Sequence, residues 1–240
     1  SLKTGNQKAS PITEIQTAKI MHQMLIKAGL KATYFISGKS FNDEWEDLKE
    51  ICLDEQIDIG GHNYFCFKPE IYHRITNKFF NSYNGNYAYQ LWETKKTINI
   101  IKEKTGREIR FWRNHMYMHG KYTDAILKEC NIEICSDGVK KNSNGLIEKS
   151  EEYFHFPINV IPDHEHLIHA ERTPEWIENW TKRYNWSDDF GPQSYYIDEW
   201  TEILLKQIEY NEKNNILTNM IIHPITMYLC DGFKSLEKIL

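Results

Sequence analysis

The chain has 240 residues, a formal net charge of −5, 40% hydrophobic residues and 26% charged residues. This composition is ordinary for a globular protein, and a negative net charge gives a nucleic-acid partner no electrostatic support. No apolar run approaches the roughly 20 residues that span a bilayer, so we expect no membrane span. Because the sequence shows neither a repeat nor a linker, we predict a single domain over residues 1–240.

The five cysteines are scattered, odd in number and without a CxxC pair. That pattern favours thiols in a reducing compartment over a disulfide framework. The sequence also lacks a signal peptide, so we expect a cytoplasmic location. Aromatic residues make up 13% of the chain, which suits a sugar-binding cleft and is explained equally well by a large core.

Helical periodicity and cap residues such as Ser10 and Pro11 predict helices over residues 10–29, 44–54, 90–104, 123–130, 174–184 and 197–211. Strand formers bounded by turn residues predict six strands, over residues 31–37, 57–61, 109–113, 132–136, 154–161 and 216–222. Residues 63–89 read as a long loop or a short-helix insertion, and residues 140–152 are polar and rich in turn formers.

This alternation predicts an α/β fold with parallel strands and helices outside them. Six strands fit a distorted (β/α) barrel or a doubly wound sheet. The chain begins with a helix where a βα unit would begin with a strand. We therefore expect the first strand to lie upstream of Ser1.

Polar residues end four of the predicted strands, and strand ends are where α/β proteins place their chemistry. His62 follows two glycines that allow a tight turn. It is a candidate metal ligand or catalytic residue, or a histidine that is merely hydrogen-bonded at a strand end. His223 lies between an apolar strand and Pro224, which suits a general acid or base near neutral pH.

Arg113, His115 and Tyr117 crowd the loop after the third predicted strand. An arginine there can orient a carboxylate through paired hydrogen bonds, although a polar surface loop has the same composition. Asp137 places a carboxylate at the next strand end, where Asp-Gly is also a common turn.

Residues 161–169 hold three histidines and two acids, among them Asp163, His164 and His166. Imidazoles and carboxylates are natural zinc ligands. The spacing matches no closed zinc site, so a solvated loop is the alternative.

In this order the strand ends resemble the polysaccharide deacetylase family, the chitooligosaccharide deacetylase type of carbohydrate esterase family 4. The resemblance spans about residues 32–224. Ala32-Thr33-Tyr34-Phe35-Ile36 is similar to the family's second strand, and Gly61-His62 resembles the start of its metal-binding histidine motif. Phe111-Trp112-Arg113 resembles its arginine motif, and Ile222-His223-Pro224 its final histidine-proline motif.

The resemblance implies a distorted (β/α)7-type barrel that hydrolyses an acetamido group on a carbohydrate with a divalent metal, for which we expect zinc. The metal polarises the acetyl carbonyl and binds the attacking water. His62 and Cys66 are the implied metal ligands. The resemblance implies three catalytic residues. Arg113 matches the arginine that orients the family's catalytic aspartate, Asp137 matches an acid of a later motif, and His223 matches the general acid. We assign substrate contacts to His115, Tyr117, Asp163, His164 and His166.

The sequence departs from the family at three points. The family's first motif carries two aspartates, and the given sequence has no such motif before Ser10. Cys66 stands where a second metal histidine is expected, although a thiolate also binds zinc, and His115 stands where a proline is expected. The given sequence is therefore cut short, belongs to a divergent subgroup, or is inactive.

Three functions stay open at this stage. The first is a metal-dependent deacetylase-like hydrolase, which acts on a carbon–nitrogen bond that is not a peptide bond. The second is a carbohydrate-binding barrel that has lost catalysis. The third is a hydrolase of a different amide that uses the histidine-rich loop, whose histidines are also candidate replacement ligands.

Overall fold

The computed structural model describes residues 5–141, 143, 148–149 and 153–240. Within them the helices are α1 Gly5–Ala9, α2 Glu14–Lys27, α3 Gly38–Asp43, α4 Trp45–Cys52, α5 Glu70–Phe80, α6 Tyr87–Thr105, α7 Thr123–Glu129, α8 Asp163–His166, α9 Pro174–Tyr184, α10 Ile197–Lys213, α11 Pro224–Asp231 and α12 Lys234–Ile239. The strands are β1 Thr33–Ser37, β2 Asp58–His62, β3 Phe111–Trp112, β4 Ile134–Cys135, β5 Glu148–Lys149 and β6 Phe154–His155, and a 3₁₀ turn covers His115–Tyr117.

The described residues group into two compact units. The first holds residues 31–138, 148–149 and 153–157, and the second holds residues 5–30, 139–141, 143 and 158–240. The prediction of a single domain stays a prediction. In the part of the chain that the structure describes, we find no helix with the length and apolarity that a membrane crossing requires.

The first unit is built on one sheet with the strand order β1-β2-β3-β4-β6-β5. Five of the strands run parallel, and β5 pairs antiparallel with β6. Over the described residues the sheet is open, with β1 and β5 at its edges. The predicted α/β class with parallel strands is confirmed. The core of this unit includes the fully buried Phe41, Ile51, Ile101, Trp112 and Leu127.

The start of α2 is set by a capping box at Thr13. The Thr13 hydroxyl accepts a hydrogen bond from the Gln16 amide, and the Gln16 side chain accepts one from the Thr13 amide. This capping box fixes the start of α2 at Glu14, so the predicted start at Ser10 and Pro11 is wrong. In residues 63–89 the short-helix alternative is confirmed by α5.

Residues 216–222 form no strand, and the prediction of one there is wrong. The Asn159 side chain donates to the Leu217 carbonyl at 2.9 Å and accepts from the Asn219 amide at 2.9 Å. These contacts satisfy backbone groups that a neighbouring strand would otherwise bind. The predicted strand 154–161 shortens to β6, before Pro157, which has no amide proton to offer a ladder.

The stretch 140–152 is described only in part, and the turns predicted at residues 142, 144–147 and 150–152 lie outside the described residues. Its described part contains β5, which sequence patterns did not predict.

The second unit is mainly helical. Its core includes the fully buried Ile158, Leu167, Trp200, Leu204 and Met227. The Trp200 indole donates to the Pro162 carbonyl at 3.1 Å, which fixes the backbone directly before α8. Residues 163–166 form the helix α8, so the solvated loop that was the alternative for this stretch is wrong there.

Candidate functional site

A glycine pair brings His62 to the end of β2. A Cβ atom on Gly61 would lie 2.3 Å from the Trp112 ring, and one on Gly60 would lie 2.5 Å from the Phe35 ring. Only glycine leaves room for both aromatic rings against the strand. His62 is the last residue of β2 and is half-buried.

The hydrogen bonds of His62 define its tautomer. Its Nδ1 lies 2.6 Å from the Arg113 carbonyl oxygen, and its Nε2 lies 3.2 Å from Nδ1 of His115. A carbonyl only accepts, so Nδ1 of His62 carries a proton and, in the neutral ring, Nε2 keeps its lone pair. Metal-binding histidines are usually held in this way by a carbonyl or carboxylate.

Cys66 completes a group that we call the ligand cluster: His62, Cys66 and His115. Their ligand atoms all lie within 4.8 Å of one another, and all three side chains are half-buried. Cys66 and the following Phe67 have φ of 48° and 61°, a left-handed conformation that costs roughly 1–2 kcal/mol per residue. Backbone strain of this kind is often found at functional sites.

Two buried residues that the sequence did not single out hold the loop of Cys66. The Asn63 side chain accepts from the His115 amide at 2.7 Å and donates to Glu93 at 3.3 Å. Glu93, on α6, also accepts from the Phe65 amide at 2.6 Å. Burial raises the pKa of Glu93, and these hydrogen bonds oppose the rise. A glutamate inside an ordinary helical pattern gives no sequence signal for this role.

The structure places Arg113 in the interior of the first unit. Its guanidinium donates to the Ser136 carbonyl at 3.0 Å and to the Ser136 hydroxyl at 2.6 Å. It also lies 4.4 Å from the centre of the Phe35 ring. These contacts join the end of β3 to the residue after β4.

Asp137 is buried at the end of β4 and accepts from Asn114 twice, from the amide at 2.7 Å and from the side chain at 2.6 Å. It also lies 3.3 Å from Nδ1 of His119. Burial raises the pKa of Asp137, but His119 and Asn114 outweigh burial and leave that pKa below its ordinary value. Its predicted catalytic role, like that of Arg113, stays a prediction.

In the second unit, His223 and Asp163 form a pair. The Asp163 carboxylate accepts from the His223 amide at 2.6 Å and lies 2.7 Å from Nδ1 of the same residue. Asp163 is fully buried, whereas 37% of the His223 side chain is exposed. His223 precedes Pro224 at the start of α11, and Asp163 begins α8. The structure places the Asp163 carboxylate against His223, and its predicted substrate contact stays a prediction.

The charges of this pair set the proton on His223. Burial lowers the pKa of His223, but the Asp163 carboxylate outweighs burial and raises that pKa to about 9. Burial raises the pKa of Asp163, and the charge of His223 brings it below its ordinary value. The ring of His223 is therefore doubly protonated and positively charged at neutral pH.

The other predicted substrate contacts stay predictions. His164 lies 5.2 Å from His223 between ring centres, and burial together with the charges of His223 and His169 lowers its pKa to about 3. His166 is fully buried, and its ring nitrogens contact the Gln193 carbonyl at 2.6 Å and Asp188 at 3.0 Å. Tyr117 is half-buried at the end of the 3₁₀ turn, with φ of 52°.

The histidine-rich loop forms no metal-type group in the structure. Among the residues that the structure describes, two groups of three His, Cys, Asp or Glu side chains have ligand atoms close enough to share a metal ion, and both groups lie in the first unit. His164, His166 and His169 belong to neither.

Comparison with known proteins supports the fold. No protein-family model and no curated protein matches the sequence. Among solved structures, the chain is similar to a Mycobacterium smegmatis protein assigned to the polysaccharide deacetylases, with a TM-score of 0.64 at 14% identity over 97% of this chain and 71% of that one. It is also similar to a Streptococcus mutans CE4 esterase, with a TM-score of 0.53 at 16% identity over 93% and 74% of the two chains.

A third similar structure is named PuuE allantoinase, with a TM-score of 0.60 at 12% identity over 92% of this chain and 64% of that one. Identities this low compare folds, and a shared fold does not fix activity. The chain has the fold of the polysaccharide deacetylases, as the resemblance implied, although its sheet is open over the described residues and does not close into a barrel.

Proposed function

We propose that the protein is a metal-dependent hydrolase that removes an acetyl or related acyl group from an amide nitrogen of a carbohydrate. The observation that carries this proposal is the ligand cluster at the end of β2, in a chain with the fold of polysaccharide deacetylases. The carbohydrate substrate rests on that likeness of fold.

The residues of the ligand cluster fit a divalent metal. His62 presents a lone pair because its other nitrogen donates to a carbonyl. His115 and Cys66 add a second imidazole and a thiol within 4.8 Å. Two imidazoles and a thiolate suit zinc better than magnesium or calcium, which prefer oxygen ligands. Bound there, zinc would supply Lewis-acid polarisation of the acyl carbonyl and activation of water.

This assignment gives His115 a new role. The sequence predicts a substrate contact for His115. Its Nδ1 lies 3.2 Å from Nε2 of His62, which supports a role as the third metal ligand. Asn63 orients it through the hydrogen bond from the His115 amide. Arg113 orients His62, since the Arg113 carbonyl holds Nδ1 of that ring.

His223 is the proposed general acid. A leaving amine needs a proton, and His223 holds one at neutral pH because of Asp163. Asp163 also fixes the ring, since it binds both Nδ1 and the backbone amide of His223. Asp163 is therefore the proposed positioning residue of His223.

A thiol ligand must remain reduced, which supports a reducing compartment such as the cytoplasm. No disulfide joins the five cysteines, all of which the structure describes.

The test combines metal analysis with acetate release from acetylated chitooligosaccharides. We expect the zinc-loaded protein to release acetate, and we expect the Cys66→Ser variant to lose the metal of the ligand cluster together with acetate release. Cys130→Ser is the matched control, because Cys130 is a half-buried thiol of the same unit outside the ligand cluster. Full release by Cys66→Ser, or no release by the zinc-loaded protein, would contradict the proposal.

The alternative is a carbohydrate-binding barrel without catalysis. Cys66 favours it, because this thiol stands where the resembled family has a histidine. Calorimetry with the same oligosaccharides would then show binding by a protein that releases no acetate. Acetate release that appears only in the Cys66→His variant would identify a protein that has lost activity through this position.

A further inference from the structure

A second group of ligand-type side chains lies in the first unit, outside the ligand cluster. His119, Cys135 and Asp137 have ligand atoms that all lie within 4.8 Å of one another. Cys135 and Asp137 are buried at the end of β4, and His119 is partly exposed on the loop after the 3₁₀ turn. Neither Cys135 nor His119 has a part in the proposed hydrolysis.

The surroundings of His119 are unusual because both ring nitrogens face carboxylates. Nδ1 lies 3.3 Å from Oδ2 of Asp137, and Nε2 lies 3.0 Å from Oδ1 of Asp124. Ionised carboxylates only accept hydrogen bonds, and a neutral imidazole has one proton to donate. In a neutral ring, one of the two nitrogens has no proton, so its lone pair faces a lone pair of the carboxylate oxygen. A second ring proton or a metal ion between that nitrogen and that oxygen would remove the repulsion.

The contacts on the outer side of His119 resemble those of a metal-binding histidine. Asp124 accepts from the Tyr153 hydroxyl, which fixes the carboxylate that holds Nε2. A carboxylate on the outer nitrogen sets the tautomer that leaves the inner nitrogen, here Nδ1, with its lone pair. That lone pair faces Asp137, beside Cys135.

We propose that His119, Cys135 and Asp137 form a second zinc site, with Asp124 as the residue that positions His119. An imidazole, a thiolate and a carboxylate are all zinc ligands, and three protein ligands leave a fourth position open to water or an exchangeable ligand. The two anionic ligands balance the charge of the ion. Because these ligands are separate from the ligand cluster, the second site does not depend on the proposed hydrolase activity.

The test is the zinc content of the whole chain after metal removal, reloading with zinc and removal of excess metal. We expect two zinc ions per wild-type chain, one in His119→Ala, one in His62→Ala and none in the double variant. Asp124→Asn keeps all three ligands and should weaken zinc binding at this site by about 10–100-fold. Cys130→Ser should keep both ions, and circular dichroism checks the fold of each variant.

Cobalt reports the thiolates without any assay of activity. In the cobalt-loaded protein, Cys66→Ser and Cys135→Ser should each remove about half of the thiolate-to-cobalt absorption, since each site contains one thiolate. This measurement keeps the proposal testable if His119→Ala does not fold.

The possible outcomes separate the two sites. A single zinc ion that is lost in His119→Ala and kept in His62→Ala would support the second site and contradict the first. If His119→Ala and Cys135→Ser bind as much metal as wild type, the second site does not exist and His119 is an imidazolium between two carboxylates.

Discussion

The ligand cluster of the first unit and the Asp163–His223 pair of the second unit use the same side chain for opposite purposes. In His62, Nδ1 meets a neutral backbone carbonyl at 2.6 Å. In His223, Nδ1 meets a buried carboxylate at 2.7 Å. The two rings are both partly exposed, and their hydrogen bonds are of nearly equal length.

The charge of the acceptor decides what each histidine can do. A neutral acceptor orients His62 without holding a second proton on the ring, which leaves a lone pair for a metal. A carboxylate stabilises the doubly protonated ring, which raises the pKa of His223 to about 9 and makes it a proton donor. The role of each histidine therefore follows from its hydrogen-bond partner, and its position in the sequence does not suffice to assign it.

Metal removal should have the largest effect, and it separates the two regions. We expect chelation, or the substitution His62→Ala, to reduce acetate release by about 10³-fold or more, because Lewis-acid polarisation supplies several kcal/mol. The pKa of His223 should not change. Steady-state kinetics with and without added zinc, beside an NMR titration of His223, measures both. Release that survives chelation would remove the ligand cluster from catalysis.

Loss of the proton donor should have the next largest effect. His223→Gln should lower kcat by about 10²–10⁴-fold, which is the usual contribution of a general acid, while zinc content stays at the wild-type level. Asp163→Asn should lower kcat at neutral pH less severely and move the optimum to lower pH, since His223 loses the charge that keeps it protonated. Pre-steady-state kinetics and metal analysis test the pair, and a zinc loss in His223→Gln would contradict this division of roles.

The glycine pair predicts a loss of stability in the first unit. Gly61→Ala puts a Cβ atom 2.3 Å from the Trp112 ring and 2.8 Å from the Ile109 side chain. Overpacking of this kind costs about 1–3 kcal/mol. Urea unfolding measures it, with Leu53→Ala as a control, since Leu53 is exposed and surface changes stay within about 0.5 kcal/mol. Equal stabilities of the two variants would contradict the packing of β2.

The smallest expected effect is a pH dependence that belongs to His223. Its pKa in the folded protein, about 9, lies above its ordinary value of 6.5. The stability that it contributes is therefore fully present below pH 6.5 and is lost as the pH rises through about 9. Unfolding free energies of wild type and His223→Gln should differ most at low pH and converge above pH 9. A difference that grows with pH would contradict the charged pair.

The α/β class and the end of β2 could be predicted because both follow from local patterns. Apolar runs that stop at glycine or at a polar residue mark β1, β2 and β4 whatever surrounds them. His62 was singled out for the same reason, since it directly follows the pair of glycines.

Contacts between distant residues could not be predicted. Nothing in residues 161–169 indicates that Asp163 binds His223, which lies 60 positions further on. The strand predicted over residues 216–222 has the right composition, but the Asn159 side chain binds the Leu217 carbonyl and the Asn219 amide, which a neighbouring strand would otherwise bind. The short distance between His115 and His62 could not be predicted either, because it depends on the pairing of β2 with β3.

The contacts of Glu93 have a consequence for the kinetics of metal exchange. Glu93 and Asn63 connect the segment of Cys66 to α6 and to the His115 amide through hydrogen bonds within the protein. The donor atoms should thus stay in place when the ion leaves, and rebinding should need little reorganisation. An ion could then be withdrawn and returned many times without unfolding, so occupancy would follow the free zinc concentration of the surroundings.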